Sequence, residues 1–147
     1  MKILIHTCCA DCFLNTLSYL TQEHVINSKT QITLLFFNPN IHPRSEYLAR
    51  FEALKKVVEQ NNDYSIKIVT PDYKPAQYIA SVVDVKDNKN LSRCKKCWKM
   101  RLEYTVEYAL ANNFDAVTTT LLTSHYQNRD QIIQILENLT KKQNINI

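Results

Sequence analysis

Residues 31–43 read QITLLFFNPNIHP. The first seven, Gln31–Phe37, form a continuous apolar run of strand length. A strand with one wet face alternates apolar and polar side chains, whereas a strand covered on both faces is apolar throughout. The run therefore predicts a strand buried on both sides, as in a parallel sheet sandwiched by helices. The NPNIHP that follows is turn chemistry, dominated by Asn and Pro.

The flanking sequence repeats this alternation in both directions. Upstream, Ile3–His6 is a short apolar strand, and Leu14, Leu17, Tyr19 and Leu20 mark a helix from Cys12 to Val25. Downstream, a helix opens at Arg44 or Ser45 and runs to about Gln60, with Tyr47, Leu48, Phe51, Leu54, Val57 and Val58 on one face. Ser65–Val69 is a third strand, Pro75–Val83 a helix, and Asp84–Ser92 a polar loop. A long helix from about Cys94 to Ala111 carries Leu102, Val106, Ala109 and Leu110. Ala116–Leu122 is a fourth strand, Asn128–Gln143 a final amphipathic helix, and Ile145–Ile147 the start of a fifth strand. Alternating strands and helices predict an α/β fold, a parallel sheet flanked by helices in a nucleotide-hydrolase or Rossmann-like sandwich. No repeat or linker interrupts the pattern, so residues 1–147 are expected to form a single domain. In such sheets the site lies beyond the carboxyl ends of the strands. Cys8 and Cys9, His42, and Ser124–Gln127 all fall there.

The composition, 45% hydrophobic and 22% charged over 147 residues, is that of a soluble globular protein. No stretch approaches the roughly 20 apolar residues of a membrane span. The opening MKILIHTCC is too short for a secretory signal. The expected location is the cytoplasm, with no membrane partner. A net charge of +4 suits a polyanion such as RNA, although an ordinary lysine-rich surface gives the same value. Glycine is absent, which excludes the glycine-dependent dinucleotide and P-loop motifs and leaves tight turns to Asn, Asp and Pro.

The five cysteines fall into two groups, Cys8, Cys9 and Cys12 as CC-x-x-C and Cys94 with Cys97 as C-x-x-C. A disulfide framework is out of place in a cytoplasmic domain of this size. C-x-x-C lets two sulfurs face one metal, and thiolates from two segments can also hold an iron–sulfur cluster. On spacing alone, zinc and iron–sulfur stay equally open. Cys12 and Cys94 fall at expected helix N-termini, where the helix dipole favours thiolate, and Arg93, Lys95 and Lys96 flank the second group. Asp11 is either an oxygen ligand or the N-cap of the helix that follows.

Taken together, IHTCCADC, FFNPNIHPRSEYLAR, RCKKCWKMRLEYT and FDAVTTTLLTSHYQN resemble, in order and spacing, the signature blocks of the QueH family of epoxyqueuosine reductases. The resemblance covers most of the chain. It implies a two-electron deoxygenation of epoxyqueuosine in tRNA to queuosine, the last step of queuosine biosynthesis. It implies a [4Fe–4S] cluster on Cys8, Cys9, Cys94 and Cys97, with a possible additional iron near Asp11 and Cys12. The substrate would be tRNA carrying epoxyqueuosine, and an unidentified electron donor would be required. Epoxide opening also needs a proton donor; Asp11, His42 and Tyr126 are the catalytic candidates, with His6 and His125 behind them. Arg44, Arg50 and Arg101 are candidates to meet phosphate. Trp98 would shield the cluster, stack on a base or simply pack in the core.

The chain departs from the family pattern in two places. Family members usually run some tens of residues further and carry a C-terminal cysteine pair, whereas no cysteine follows Cys97 here. The expectation is a fold lacking its C-terminal segment. Asp11 stands where many members have Pro. Two alternatives accompany the reductase reading: a zinc-stabilised RNA-binding module, and an inactive truncated relative that keeps a metal site.

Overall fold

The structure, a computed structural model, describes residues 1–83, 90–141 and 143–147. Strands β1 (Lys2–His6), β2 (Gln31–Leu35), β3 (Ser65–Val69) and β4 (Ala116–Thr119) form one parallel sheet in the order β3-β2-β1-β4. Ile3 lies opposite Ile32 on one side of β1 and opposite Ala116 on the other. A further parallel bridge joins Ala116 to Asn146, where the sequence suggested the start of a fifth strand. The expected α/β architecture is therefore the observed one.

The helices are α1 (Ala10–Gln22), α2 (Arg44–Gln60), α3 (Pro75–Val83), α4 (Asn90–Ala111) and α5 (Arg129–Thr140). Alternation along the strands builds a core on each side of the sheet. Ile3, Ile5, Ile32 and Leu34 pack with Phe13, Leu17 and Leu20 of α1 and with Tyr47 and Leu54 of α2. Leu4, Leu35 and Val117 point the other way, onto Trp98, Leu102, Val106 and Ala109 of α4 and Ile132 and Leu136 of α5. Each fully buried aliphatic side chain contributes about 1.5–3 kcal/mol relative to exposure. The central strands are apolar throughout because both cores claim them.

Several boundaries differ from the sequence expectations, each for a local reason. Helix α1 begins two residues before Cys12 because Cys9 is its N-cap, with Sγ accepting from the Cys12 amide at 3.4 Å. Asp11 is thus a first-turn residue and not the cap. That helix ends at Gln22, short of Val25, because His24 turns left-handed at φ 56°. The His24 and Val25 amides then close back onto Thr21 and Leu20 carbonyls, a Schellman arrangement. Asn113 ends α4 in the same way at φ 54°. Helix α4 already begins at Asn90, four residues before Cys94. Cys94 therefore sits in the second turn, where the dipole has faded. The expected loop at 84–92 lies outside the described residues over 84–89. Strand β4 stops at Thr119, whose hydroxyl accepts from the Leu121 amide and starts a 3-10 turn over Thr120–Thr123. Helix α5 ends at Thr140, before Gln143.

Candidate metal centre

Chain reversals at the carboxyl ends of the strands bring the chemical groups together. Cys8 leaves β1 and Cys9 caps α1, so the CC-x-x-C segment wraps around the first turn of that helix. The sulfurs of Cys8, Cys9 and Cys12 all lie within 4.8 Å of one another. Cys9 and Cys12 Sγ are 2.6 Å apart, and Cys8 and Cys9 Sγ 3.9 Å. All five cysteines are free.

The 3-10 turn after β4 clamps this segment. Thr120, fully buried, accepts from the Cys8 amide at 3.1 Å, and its hydroxyl lies 3.3 Å from Cys8 Sγ. The Thr123 hydroxyl, which donates to the Thr120 carbonyl at 2.8 Å, also lies 3.3 Å from the Cys12 carbonyl. The loop after β2 adds a third wall: Asn38 donates to the Thr7 carbonyl at 2.9 Å. The side-chain oxygens of Asn38 and Asn40 are buried and have no hydrogen-bond partner among the described residues. Neither threonine stands out in the sequence, where Thr120 lies inside the expected strand Ala116–Leu122 and Thr123 directly after it.

Three thiols so close cannot ionise alike. Cys8 is held far down, by hydrogen bonding from Cys12 first and then from Cys9. Cys12 is driven far up by its hydrogen bonds to Cys8 and Cys9. For Cys9, the hydrogen bond with Cys12 pulls down, but bonding to Cys8, burial and the Cys8 charge together outweigh it. One thiolate shared by three sulfurs is a ready seat for a thiophilic cation, since metal ligation removes the remaining protons.

Helix α4 carries the second pair. Cys97 is buried and Cys94 half-buried, and both Cys8 and Cys94 pack against the core that holds Trp98 and Leu102. Cys94 and Cys97 lie outside the 4.8 Å sulfur group. Burial pushes the Cys97 thiol up, against the charge and hydrogen bonding of Arg101 and a hydrogen bond with Tyr78. Trp98 is core, and its indole N–H donates to Gln127 Oε1 at 2.6 Å. Arg101, a phosphate candidate in the sequence, is 4% exposed. Arg44 is on the surface, and Arg50 pairs with Glu46 at 2.7 Å along α2.

The candidate proton donors separate clearly. His42 is exposed, its ring 6.0 Å from that of Tyr78 and its Nδ1 3.5 Å from the Tyr73 hydroxyl. Tyr78 in turn touches Cys97, so His42 borders the thiol site through a residue that the sequence did not single out. Tyr126 is 97% exposed, and Asp11 is exposed and outside the sulfur group. His6 is a fully buried core histidine. Its Nε2–H donates to the Phe37 carbonyl at 3.1 Å, which leaves Nδ1 to accept from Thr119 at 2.9 Å. Burial first, then the Arg101 charge, lowers its pKa to about 4 and keeps it neutral.

The donor set fits a thiolate-held metal group. It is all sulfur, carries no disulfide, and lies beside a buried cation. Fold and site together define a parallel α/β protein with a thiol-rich centre at the carboxyl edge of its sheet.

Comparison with known proteins makes the assignment specific. The family model described as epoxyqueuosine reductase QueH matches residues 3–147, and the chain belongs to that family. A protein of Staphylococcus epidermidis named epoxyqueuosine reductase QueH is 33% identical over 91% of this chain and 56% of its own length. The Staphylococcus aureus protein of the same name is 31% identical over 99% of this chain and 60% of its own length. That of Dehalococcoides mccartyi is 29% identical over 96% and 71%. The chain thus spans 56–60% of the length of the two staphylococcal relatives. No helix among the described residues is long and apolar enough to cross a membrane.

Proposed function

We propose that this chain is an epoxyqueuosine reductase acting in the cytoplasm as a single α/β domain on tRNA that carries epoxyqueuosine. The observation that carries the reading is the gathering of free cysteines at the carboxyl edge of the sheet in a chain of the QueH family. The reaction removes the epoxide oxygen: two electrons and two protons enter, the carbon–oxygen bonds break, an alkene forms and water leaves. A [4Fe–4S] cluster on Cys8, Cys9, Cys94 and Cys97 would supply single electrons, delivered by an external donor, with a second iron near Cys12 and Asp11 available to polarise oxygen.

The chain's own residues shape the rest. Thr120 fixes the CC-x-x-C backbone at Cys8, and Thr123, bonded to the Thr120 carbonyl, braces the turn against Cys12. The buried Asn38 side chain ties the loop after β2 to the Thr7 carbonyl, next to Cys8. His42 is the preferred proton donor, because it alone of the catalytic candidates borders a residue in contact with Cys97. Tyr126 and Asp11 rank below it.

The test is to purify the chain anaerobically, reconstitute it with iron and sulfide, and measure absorbance near 400 nm beside iron, sulfide and zinc. A broad band with iron and sulfide in equal amount, lost in Cys8→Ser and Cys97→Ser, is expected. One observation favours a second reading. Sulfurs within 4.8 Å suit a single ion better than the spread corners of a cluster. A colourless protein with stoichiometric zinc would make the chain a zinc-stabilised RNA-binding module. An iron-loaded chain without turnover would be an inactive relative.

A further inference from the structure

Arg101 is 4% exposed, whereas the ion pairs among the described residues are all at the surface and none includes it. Burying a guanidinium, which stays charged at any pH of interest, is very costly without a compensating anion. Arginine is among the residues least often found fully inside a protein. No carboxylate among the described residues compensates this one within ion-pair distance.

The surroundings show what does. Arg101 lies one turn after Cys97 on α4, and its Nε donates to the Cys97 carbonyl at 3.4 Å. Its charge acts on the Cys97 thiol, on the Tyr78 phenol beside it, and on His6 at the end of β1. The guanidinium is therefore buried beside Cys97, and its charge reaches His6 at the end of β1, two residues before Cys8. Thiolates outnumber the charge of a divalent ion, so a metal held by three or more of them is a net anion. The same holds for a cluster in a four-thiolate cage.

We propose that Arg101 is the built-in counter-cation of the thiolate centre, a positioning residue whose buried charge favours the additional thiolates that form when the cysteines hold metal. The proposal rests on the reading of the cysteines as metal ligands and not on which metal they hold. A loaded site of net negative charge is then stabilised by the guanidinium beside it. Reduction of a bound cluster, which adds one more negative charge, is eased by the same residue.

Such a role has a distinctive signature: removing the charge harms the loaded chain more than the metal-free one. The test compares wild type with Arg101→Lys, Arg101→Gln and Arg101→Met. Each metal-free full-length chain is titrated anaerobically with cadmium, read by its thiolate-to-metal charge-transfer absorbance, and melted with and without cadmium. Cadmium affinity is expected to fall about tenfold or more in R101M and R101Q, as when partners of metal ligands are removed. It should stay near wild type in R101K. The melting temperature should fall less in the metal-free R101M chain than in the cadmium-loaded one. Where the cluster forms, its midpoint potential should shift downward in R101M. Equal cadmium affinity in all variants overturns the proposal. So does an R101M chain that unfolds, or that melts lower by the same amount with and without metal, since that marks a packing role. If wild type takes no cluster, the iron–sulfur reading falls while the cadmium arm still decides the role of Arg101.

Discussion

The Thr120 hydroxyl meets Cys8 twice, accepting from its amide at 3.1 Å and lying 3.3 Å from its sulfur. One side chain on the turn after β4 thereby holds both the backbone and the sulfur of Cys8, two residues beyond β1. The contact crosses 112 positions of sequence, and it exists because β4 ends early, at Thr119.

Thr120→Val keeps the shape and removes this acceptor, leaving a buried amide unpaired. Stability is expected to fall by about 1–3 kcal/mol in urea denaturation. Metal should also be lost faster to a chelator. Thr120→Ser should recover most of both. A valine variant equal to wild type in both measurements would remove Thr120 from the site.

Trp98 joins α4 to the loop before α5 through Gln127. Trp98→Phe keeps most of the apolar contact but leaves the Gln127 oxygen unpaired, at a cost of about 1 kcal/mol. Trp98→Ala, which opens a cavity in the core, should cost about 3–5 kcal/mol. Similar losses for both variants would show that the hydrogen bond, and not the ring, carries the contribution.

Asn113 holds a left-handed residue in a chain without glycine. Asn113→Gly should gain up to about 1 kcal/mol, the relief of side-chain strain exceeding the entropy cost of glycine. Asn113→Val should lose about 1–2 kcal/mol. Thermal unfolding of the two variants gives the sign directly, and a destabilising glycine would contradict the strain argument.

Tyr126 is 97% exposed, so Tyr126→Phe should leave stability within about 0.5 kcal/mol of wild type and leave turnover unchanged. His42→Gln should lower turnover by about a hundredfold or more if it delivers the proton. The reverse ranking, measured at saturating tRNA, would transfer the proton-donor role to Tyr126.

The sheet was legible because β1 and β2 are apolar on both faces, a pattern that few other contexts produce. Helix starts were less so. Cysteine is not among the usual N-caps, so the role of Cys9 was hidden in a motif already read as metal-binding. The first turn of α4 lies in a polar stretch with no apolar period to announce it. The cysteine segments stood out in the chain, but the clamp on them did not. Threonines at a strand end look like strand, and only the 3-10 turn aims Thr120 and Thr123 inward. The burial of Arg101 ran against the ordinary preference of its side chain. The row Cys97, Arg101, Thr105, spaced four residues apart beside the Leu102 and Val106 stripe, was the available signal.

The most direct test is to incubate the iron- and sulfide-loaded chain anaerobically with a reductant and tRNA carrying epoxyqueuosine, then digest the tRNA and weigh its nucleosides. The account predicts epoxyqueuosine replaced by a nucleoside lighter by one oxygen, with no conversion by Cys8→Ser. A fully loaded wild-type chain that leaves epoxyqueuosine intact would contradict it.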